Sequence, residues 1–338
     1  MSKKSLFRYR NFSIFSLLFL SACIENAPMD SLSPAGPYAR TIDDLFWLTF
    51  WIAVGVFFIV QGALVFAVFY FRDMPGKPEP KQIHGNNILE LTWTIIPVLI
   101  LAAIAVPTTR TIFDLAREPE NALKVEVIGH QWWFEYKYPD YGITTANVLV
   151  IPEDTPVRLE MWSNDVLHNY WVPKLNGKRY LVPGQKTYLN LHADSAEEFW
   201  AQCGEYCGLS HSKMRGRVIS LSKKDFENWV NNEKLDAQKE LPEGSLAAEG
   251  QQVYLNAGCT QCHVINGVWD VQGDRIAPNL THFANRNVLA GASLDNNKEN
   301  LTKWLANPPE VKPGTFMPNL ELSEKEIEAL IAYLGTLK

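Results

Sequence analysis

The sequence predicts a multi-domain chain: a two-helix transmembrane hairpin, then an all-β sandwich, then an all-α domain. Three observations carry this. Two apolar stretches, Leu45–Phe71 without a charge and Ile88–Thr109 with one, Glu90, lie close together near the N-terminus. Within residues 110–222, the stretch from about Leu123 to Ser222 then alternates polar and apolar side chains between Pro and Gly punctuation, and residues 245–338 read as capped helices. A length of 338 residues suits two globular domains with something added. With 47% hydrophobic residues the chain is not disordered, and its net charge of −6 argues against a nucleic-acid partner.

Taken in order, "MSKKSLFRYR" is basic, "IFSLLFL" is a short apolar run and "LSAC" ends at Cys23. That pattern fits a secretory signal over residues 1–22 and is too short to span a membrane. Leu20-Ser21-Ala22-Cys23 resembles the lipobox of bacterial lipoproteins, which makes Cys23 a lipidation candidate; a plain signal with an incidental Cys is the other reading. Residues 23–44 form a short segment ahead of the hairpin at 45–109. Its connecting loop carries Arg72, Lys77 and Lys81, which places the loop in the cytoplasm and everything after about Arg110 outside. Pro97 is tolerable in a packed membrane helix. Glu90 sits at a membrane-helix edge, where a carboxylate is costly and usually functional, though an interfacial Glu would look the same.

In "VRLEMW", Val157, Leu159 and Met161 alternate with Arg158, Glu160 and Trp162, as in a half-buried strand. "KVEVIGHQWW" and "TYLNLH" read similarly, and so many short strands suggest a sandwich. "CGEYCGLSHSKM" then brings Cys203, Cys207, His211 and Met214 into twelve residues, with His168 able to arrive from a neighbouring strand. Two thiolates, an imidazole and a thioether form a copper set; a structural zinc site of two Cys and two His is the competing reading. Residues 223–244 are charged and polar; Phe226 and Trp229 could seat the first part as a short helix, and the remainder reads as a linker. In the last segment Ser245 is a plausible N-cap, and Ser323 with Glu326 makes a capping box.

"CTQCH" is a c-type haem signature: Cys259 and Cys262 can bond the porphyrin and His263 can ligate the iron. The five cysteines are then all used, one near the N-terminus and two in each site.

"GHQWWFEYKYP", "DVLHNYWVP", "VPG" and "CGEYCGLSHSKM" occur in the order and spacing of subunit II of haem-copper cytochrome c oxidases, a resemblance running from the hairpin to about Ser222. It implies a cupredoxin sandwich holding the dinuclear copper centre CuA. In that resemblance Cys203 and Cys207 bridge two coppers, His168 and His211 are terminal ligands, and Met214 and the Glu205 carbonyl are weak ligands. The Glu205 side chain would reach a magnesium or manganese ion at the contact with subunit I. Trp132 matches the tryptophan through which electrons arrive, and Glu90 the acidic residue at the mouth of the K proton pathway. The C-terminal domain is similar to class I cytochromes c, with Met317 in "KPGTFMPNL" as sixth iron ligand. The carbonyl of Pro278 in "APNL" would accept a hydrogen bond from the iron-ligating His263. The whole chain thus resembles subunit II of a caa3-type oxidase in a bacterial inner membrane, with both outer domains on the periplasmic face. It implies electrons passing from haem c to CuA and on to subunit I, where oxygen is reduced with proton translocation. The upstream donor would be a cytochrome c or a cytochrome bc-type complex.

One departure bears on docking. Many relatives carry an acidic residue before "VPG", whereas this chain has Arg179 and Tyr180 there, with Asp165 remaining. A tethered donor makes strong steering charges dispensable. A CuA-containing nitric oxide reductase small subunit and a membrane-anchored electron carrier stay open as alternatives; a quinol oxidase subunit does not fit the full set of copper ligands. His84, His130, His192 and His282 read as structural, with His130 supporting the sandwich.

Overall fold

The structure is a computed structural model that describes residues 27–76, 82, 84–270 and 276–338. The expected signal, Cys23, and the loop residues Lys77 and Lys81 lie outside the described residues.

Helices α1 (Pro37–Tyr70) and α2 (Asn87–Ala116) form the hairpin; α1 starts well before its charge-free stretch and stops one residue short of its end, and α2 runs past its apolar stretch at both ends. Pro37 starts α1, where its fixed φ suits a first turn and its missing N–H costs nothing. At the start of α2 the Asn86 side chain accepts from the amides of Ile88 and Leu89, and Glu90 Oε1 accepts from the Asn86 amide at 3.2 Å. Both helices are long and apolar enough to cross a membrane, with mean hydropathy 2.6 and 2.2 over their best windows. Their apolar side chains point outward; Phe58, Ile59, Phe69 and Ile88 are exposed, as a helix in lipid or against a partner subunit requires. Beyond the apolar stretches, the two outer ends dock on the sandwich. Ala35 donates its amide to Lys174 O at 2.8 Å, Arg40 pairs with Asp194, and Asn190 Nδ2 donates to the carbonyls of Leu115 and Arg117 at 2.9 and 2.7 Å.

Ten strands follow: β1 (Leu123–His130), β2 (Trp133–Tyr138), β3 (Ile143–Ala146), β4 (Val148–Pro152), β5 (Val157–Ser163), β6 (His168–Trp171), β7 (Lys178–Leu181), β8 (Thr187–Leu191), β9 (Glu198–Cys203) and β10 (Arg215–Leu221). They form two five-stranded sheets, ordered β3-β2-β1-β5-β8 and β4-β10-β9-β6-β7. β1 pairs in parallel with β5, and β10 with β4; the other pairings are antiparallel. β5 buries every second residue, as "VRLEMW" predicts. Val127, Phe134, Leu159, Met161, Tyr170 and Phe199 fill the space between the sheets. Tyr138 satisfies its buried hydroxyl on the backbone of Val150, donating to the carbonyl at 2.8 Å and accepting from the amide at 2.9 Å.

The segment expected in part as a linker is ordered along its length. Its first half is α3 (Lys223–Glu233), capped by Ser222, with Phe226 and Val230 buried on the sandwich. The remainder is bound to the C-terminal domain, because Ala237 and Leu241 are apolar enough to join its core. Ala237 N also donates to Asn266 O at 3.0 Å.

The C-terminal domain packs α4 (Leu246–Asn256), α5 (Lys298–Ala306), α6 (Pro308–Val311) and α7 (Glu324–Leu334) around Tyr254, Ile265, Leu330 and Tyr333. Ser245 caps α4, and α7 opens on the complete capping box of Ser323 and Glu326. α4 crosses α7 so closely that a Cβ at Gly250 would overlap the Ala329 carbonyl oxygen.

Candidate functional site

The first site lies at one end of the sandwich. β6 delivers His168 directly, and β9 ends at Cys203. A turn then brings back Cys207, His211 and Met214 before β10 begins. The two thiol sulfurs are 3.8 Å apart. His168 Nδ1 is 4.0 Å from Cys203 Sγ, His211 Nδ1 is 3.6 Å from Cys207 Sγ, and Met214 Sδ is 3.8 Å from Cys207 Sγ. The Glu205 carbonyl is 3.2 Å from Cys203 Sγ. All six expected donors therefore converge, and the ligating atoms of His168, Cys203 and Cys207 lie within 4.8 Å of one another.

The electrostatics of the pair call for a cation. The hydrogen bond from Cys207 holds the Cys203 thiol down at about 4, against burial, while the same bond pushes the Cys207 thiol up. Without a metal the buried pair keeps one proton; cationic metal lets both become thiolates. Six donors including a thioether exceed what one tetrahedral zinc takes and would suit a copper centre.

Around this set the structure adds a residue that sequence reading cast only as a docking charge. Asp165 Oδ1 accepts from His168 Nε2 at 2.6 Å and from the Val166 amide at 2.6 Å, while Oδ2 accepts from the Gln131 amide at 2.6 Å. Burial disfavours charge on both Asp165 and His168, but their mutual hydrogen bond and charge, together with the Gln131 and Val166 amides on Asp165 and with Cys203 on His168, outweigh it, lowering the carboxyl and raising the imidazole. A carboxylate on the outer nitrogen fixes the tautomer that leaves Nδ1 facing the sulfurs. The Asp-x-x-His spacing in "DVLH" was the available signal. Trp132, 6% exposed, donates its indole N–H to Cys207 O at 2.9 Å. Tyr180 hydrogen-bonds the Glu205 carboxylate, which raises the phenol. Among the described residues Glu90 meets neither site; its carboxylate caps α2. His130 is buried against Glu135 at 3.1 Å and stacks on Trp133.

The second site lies in the C-terminal domain. Cys259 and Cys262 flank a single tight turn, and the His263 amide donates to Cys259 O at 2.9 Å. His263 Nδ1 donates to the Pro278 carbonyl at 2.7 Å, which leaves Nε2 with the lone pair an iron needs. Burial lowers the His263 pKa, so the neutral, ligating form is favoured. Tyr254 holds the turn from the other side, its hydroxyl donating to His263 O at 2.9 Å. Met317 is partly buried against the same core as Cys259. Two half-buried thiols, one oriented imidazole and a thioether fit a covalently attached haem.

Comparison with known proteins agrees with this geometry. Residues 29–111 match the transmembrane domain of cytochrome c oxidase subunit II, residues 142–221 its periplasmic domain, and residues 247–338 cytochrome c. The chain is 38% identical to a cytochrome c oxidase subunit 2 of Alkalihalophilus pseudofirmus, over 96% of this chain and 95% of that one. The chain belongs to the cytochrome c oxidase subunit II family. Its similarity to the cytochrome c oxidase subunit 2 of Bacillus sp. PS3 is 35% identity over 99% of both chains. The crystal structure of the periplasmic domain of subunit II of cytochrome oxidase of Bradyrhizobium japonicum matches at 26% identity and TM-score 0.34, covering 34% of this chain and 96% of that one. As a subunit II with a fused cytochrome c domain, the chain carries CuA and haem c, works beside subunit I, and is a membrane protein with its sandwich outside.

Proposed function

We propose that this subunit receives electrons in its C-terminal domain and delivers them through the sandwich to subunit I, in a caa3-type oxidase of a bacterial inner membrane. Cys259 and Cys262 would attach the haem, and His263 and Met317 would hold its iron. His168, Cys203, Cys207, His211, Met214 and the Glu205 carbonyl would hold CuA. The two groups, when bound, supply one-electron redox chemistry and no bond-making. The protein's part is therefore orientation and exclusion of water. Pro278 and Asp165 each fix one ligating imidazole, and Trp132 joins the copper loop to the face on which the C-terminal domain sits. The upstream donor is a cytochrome c or a cytochrome bc-type complex, and Glu90 opens a proton path whose use couples oxygen reduction in subunit I to translocation. The Glu205 carboxylate reaches a magnesium or manganese ion shared with subunit I, and Cys23 carries a lipid.

One observation carries this reading: six copper-type donors and a haem-type Cys-Cys-His turn stand in adjoining domains of one chain. The test is purification of the native complex. Two coppers and one c-type haem per chain, with oxygen rather than nitric oxide consumed, are expected; preferential nitric oxide consumption would assign the chain to a reductase.

A further inference from the structure

The C-terminal domain docks on the sandwich through the loop that leads to Met317, and the contact has one unusual member. Lys312 is 3% exposed, and among the described residues no carboxylate pairs with it. Its Nζ instead donates to two backbone carbonyls, that of Trp132 in the sandwich and that of Ala290 in its own domain, the latter at 3.1 Å. Around it Ser210 Oγ donates to Pro313 O at 2.6 Å, Lys213 Nζ donates to Val311 O, and the Arg215 amide donates to Gly291 O at 2.9 Å. Two residues on, Gly314 has φ of +81°, and a Cβ there would lie 2.9 Å from the Trp132 ring and 3.0 Å from Leu209. The loop therefore lies flat on the tryptophan. Phe316, next to Met317, runs parallel to the Trp132 ring, with centroids 6.2 Å apart and an interplanar angle of 11°.

We propose that Lys312 is a positioning residue that pins the Met317 loop to the backbone of Trp132, holding the C-terminal domain on the copper face with Phe316 against the indole. This rests on the reading of Met317 and Trp132 given above. Burying an ammonium is costly, and its hydrogen bonds to the two carbonyls offset part of that cost. Take the amine away and two buried carbonyls lose their donor, one on each domain. Charged or neutral, the amine still donates to both, so the pin does not depend on its titration. Lys213 and Ser210 reach the same loop from the edge, and they hold a loop that Lys312 has seated.

The test is amide hydrogen exchange on the full chain with its cofactors in place, read at Arg215 and at the non-proline residues of 310–316. Lys312→Met keeps the stem and removes the donors, and exchange there should rise about tenfold or more. Lys312→Gln, whose amide reaches carbonyls without a charge, should recover part of the protection. Gly314→Ala lifts the loop by collision with Trp132 and Leu209 and should raise exchange at Arg215 with Lys312 untouched. Copper and haem contents should be unchanged in all three. Wild-type exchange at Arg215 in Lys312→Met overturns the proposal. If Lys312→Met fails to fold, Lys312→Gln decides: exchange at Arg215 no faster than in the wild type overturns it. A wild-type chain that binds neither copper nor haem would instead remove the functional reading, and the exchange result would stand as a statement about docking alone.

Discussion

Trp132 and Cys207 are joined by a hydrogen bond, the indole N–H meeting the cysteine carbonyl at 2.9 Å, and Gln131 Nε2 reaches the same oxygen at 2.8 Å. The shared acceptor means the tryptophan can be altered without leaving the carbonyl bare. Trp132→Phe should therefore keep the copper loop and its electron paramagnetic resonance spectrum while slowing electron transfer between the two domains several-fold. Flash photolysis following haem and copper absorbance together measures both. An unchanged rate would remove Trp132 from the route.

The docked face predicts how salt acts. Among the described residues no ion pair crosses between the sandwich and the C-terminal domain; the cross-domain bonds run mostly to backbone carbonyls, and the one to a carboxylate, from Asn287 Nδ2 to Glu198 at 2.9 Å, comes from a neutral amide. An encounter of separate charged proteins weakens as the Debye length falls from about 10 Å at 0.1 M to about 3 Å at 1 M. Transfer inside this chain should vary little over that range, by the same flash experiment. A steep fall with salt would mean that the domains part and re-form an electrostatic complex each time.

The two cofactor sites should fail separately. Replacing Met214 or His211 removes donors 3.8 and 3.6 Å from Cys207 Sγ, on a loop that contributes nothing to the Cys259–His263 turn. The expected result is an altered near-infrared and magnetic resonance signature of copper beside an unchanged haem c spectrum. Loss of both together would show that the domains fold as one unit.

Part of each candidate site was legible in the sequence because those residues are local. Cys203, Cys207, His211 and Met214 fall within one turn-and-strand unit, and Cys259, Cys262 and His263 within another, so spacing points to two sites; copper against zinc, and the distant His168 and Met317, needed the family resemblance. What bonds across long separations was not legible. Lys312 and Trp132 are 180 positions apart, and a lysine in a Pro- and Gly-rich loop reads as solvated until the fold buries it. Ala237 and Leu241 illustrate the same limit: two apolar residues in a charged run carry no period, so only tertiary packing shows that they belong to a core.

Ser323 offers a stability test within the C-terminal domain. Its side chain accepts from the Glu326 amide, and Glu326 returns the bond to the Ser323 amide at 2.8 Å. Ser323→Ala should cost about 1 kcal/mol, and for a domain of this size that lowers the melting temperature by about 4–8 °C. Ser323→Asp should retain most of it. Haem absorbance during thermal unfolding of the full chain is the readout, and an unchanged midpoint for the alanine variant would mean that packing of Ile327, Leu330 and Tyr333 alone holds α7.

Burial of Glu233 makes the stability of the folded chain depend on pH. Glu233 ends α3, and burial raises its pKa above the ordinary 4.5, although His282 and Arg286 of the C-terminal domain pull the other way. Burial likewise holds the Arg286 guanidinium down at about 10, with Glu233 opposing. Between pH 4.5 and its folded value, the folded chain keeps a proton on Glu233 that the unfolded chain has lost. Stability from this group is thus fully present below the unfolded pKa and is lost as pH rises through the folded one. Glu233→Gln has no proton to lose there. Denaturant unfolding of both chains across this window should show wild type losing stability relative to the variant as pH rises, then running parallel to it. If wild type gains instead, the attraction of Arg286 outweighs desolvation, and Glu233 is a charged partner at the domain contact in the folded chain.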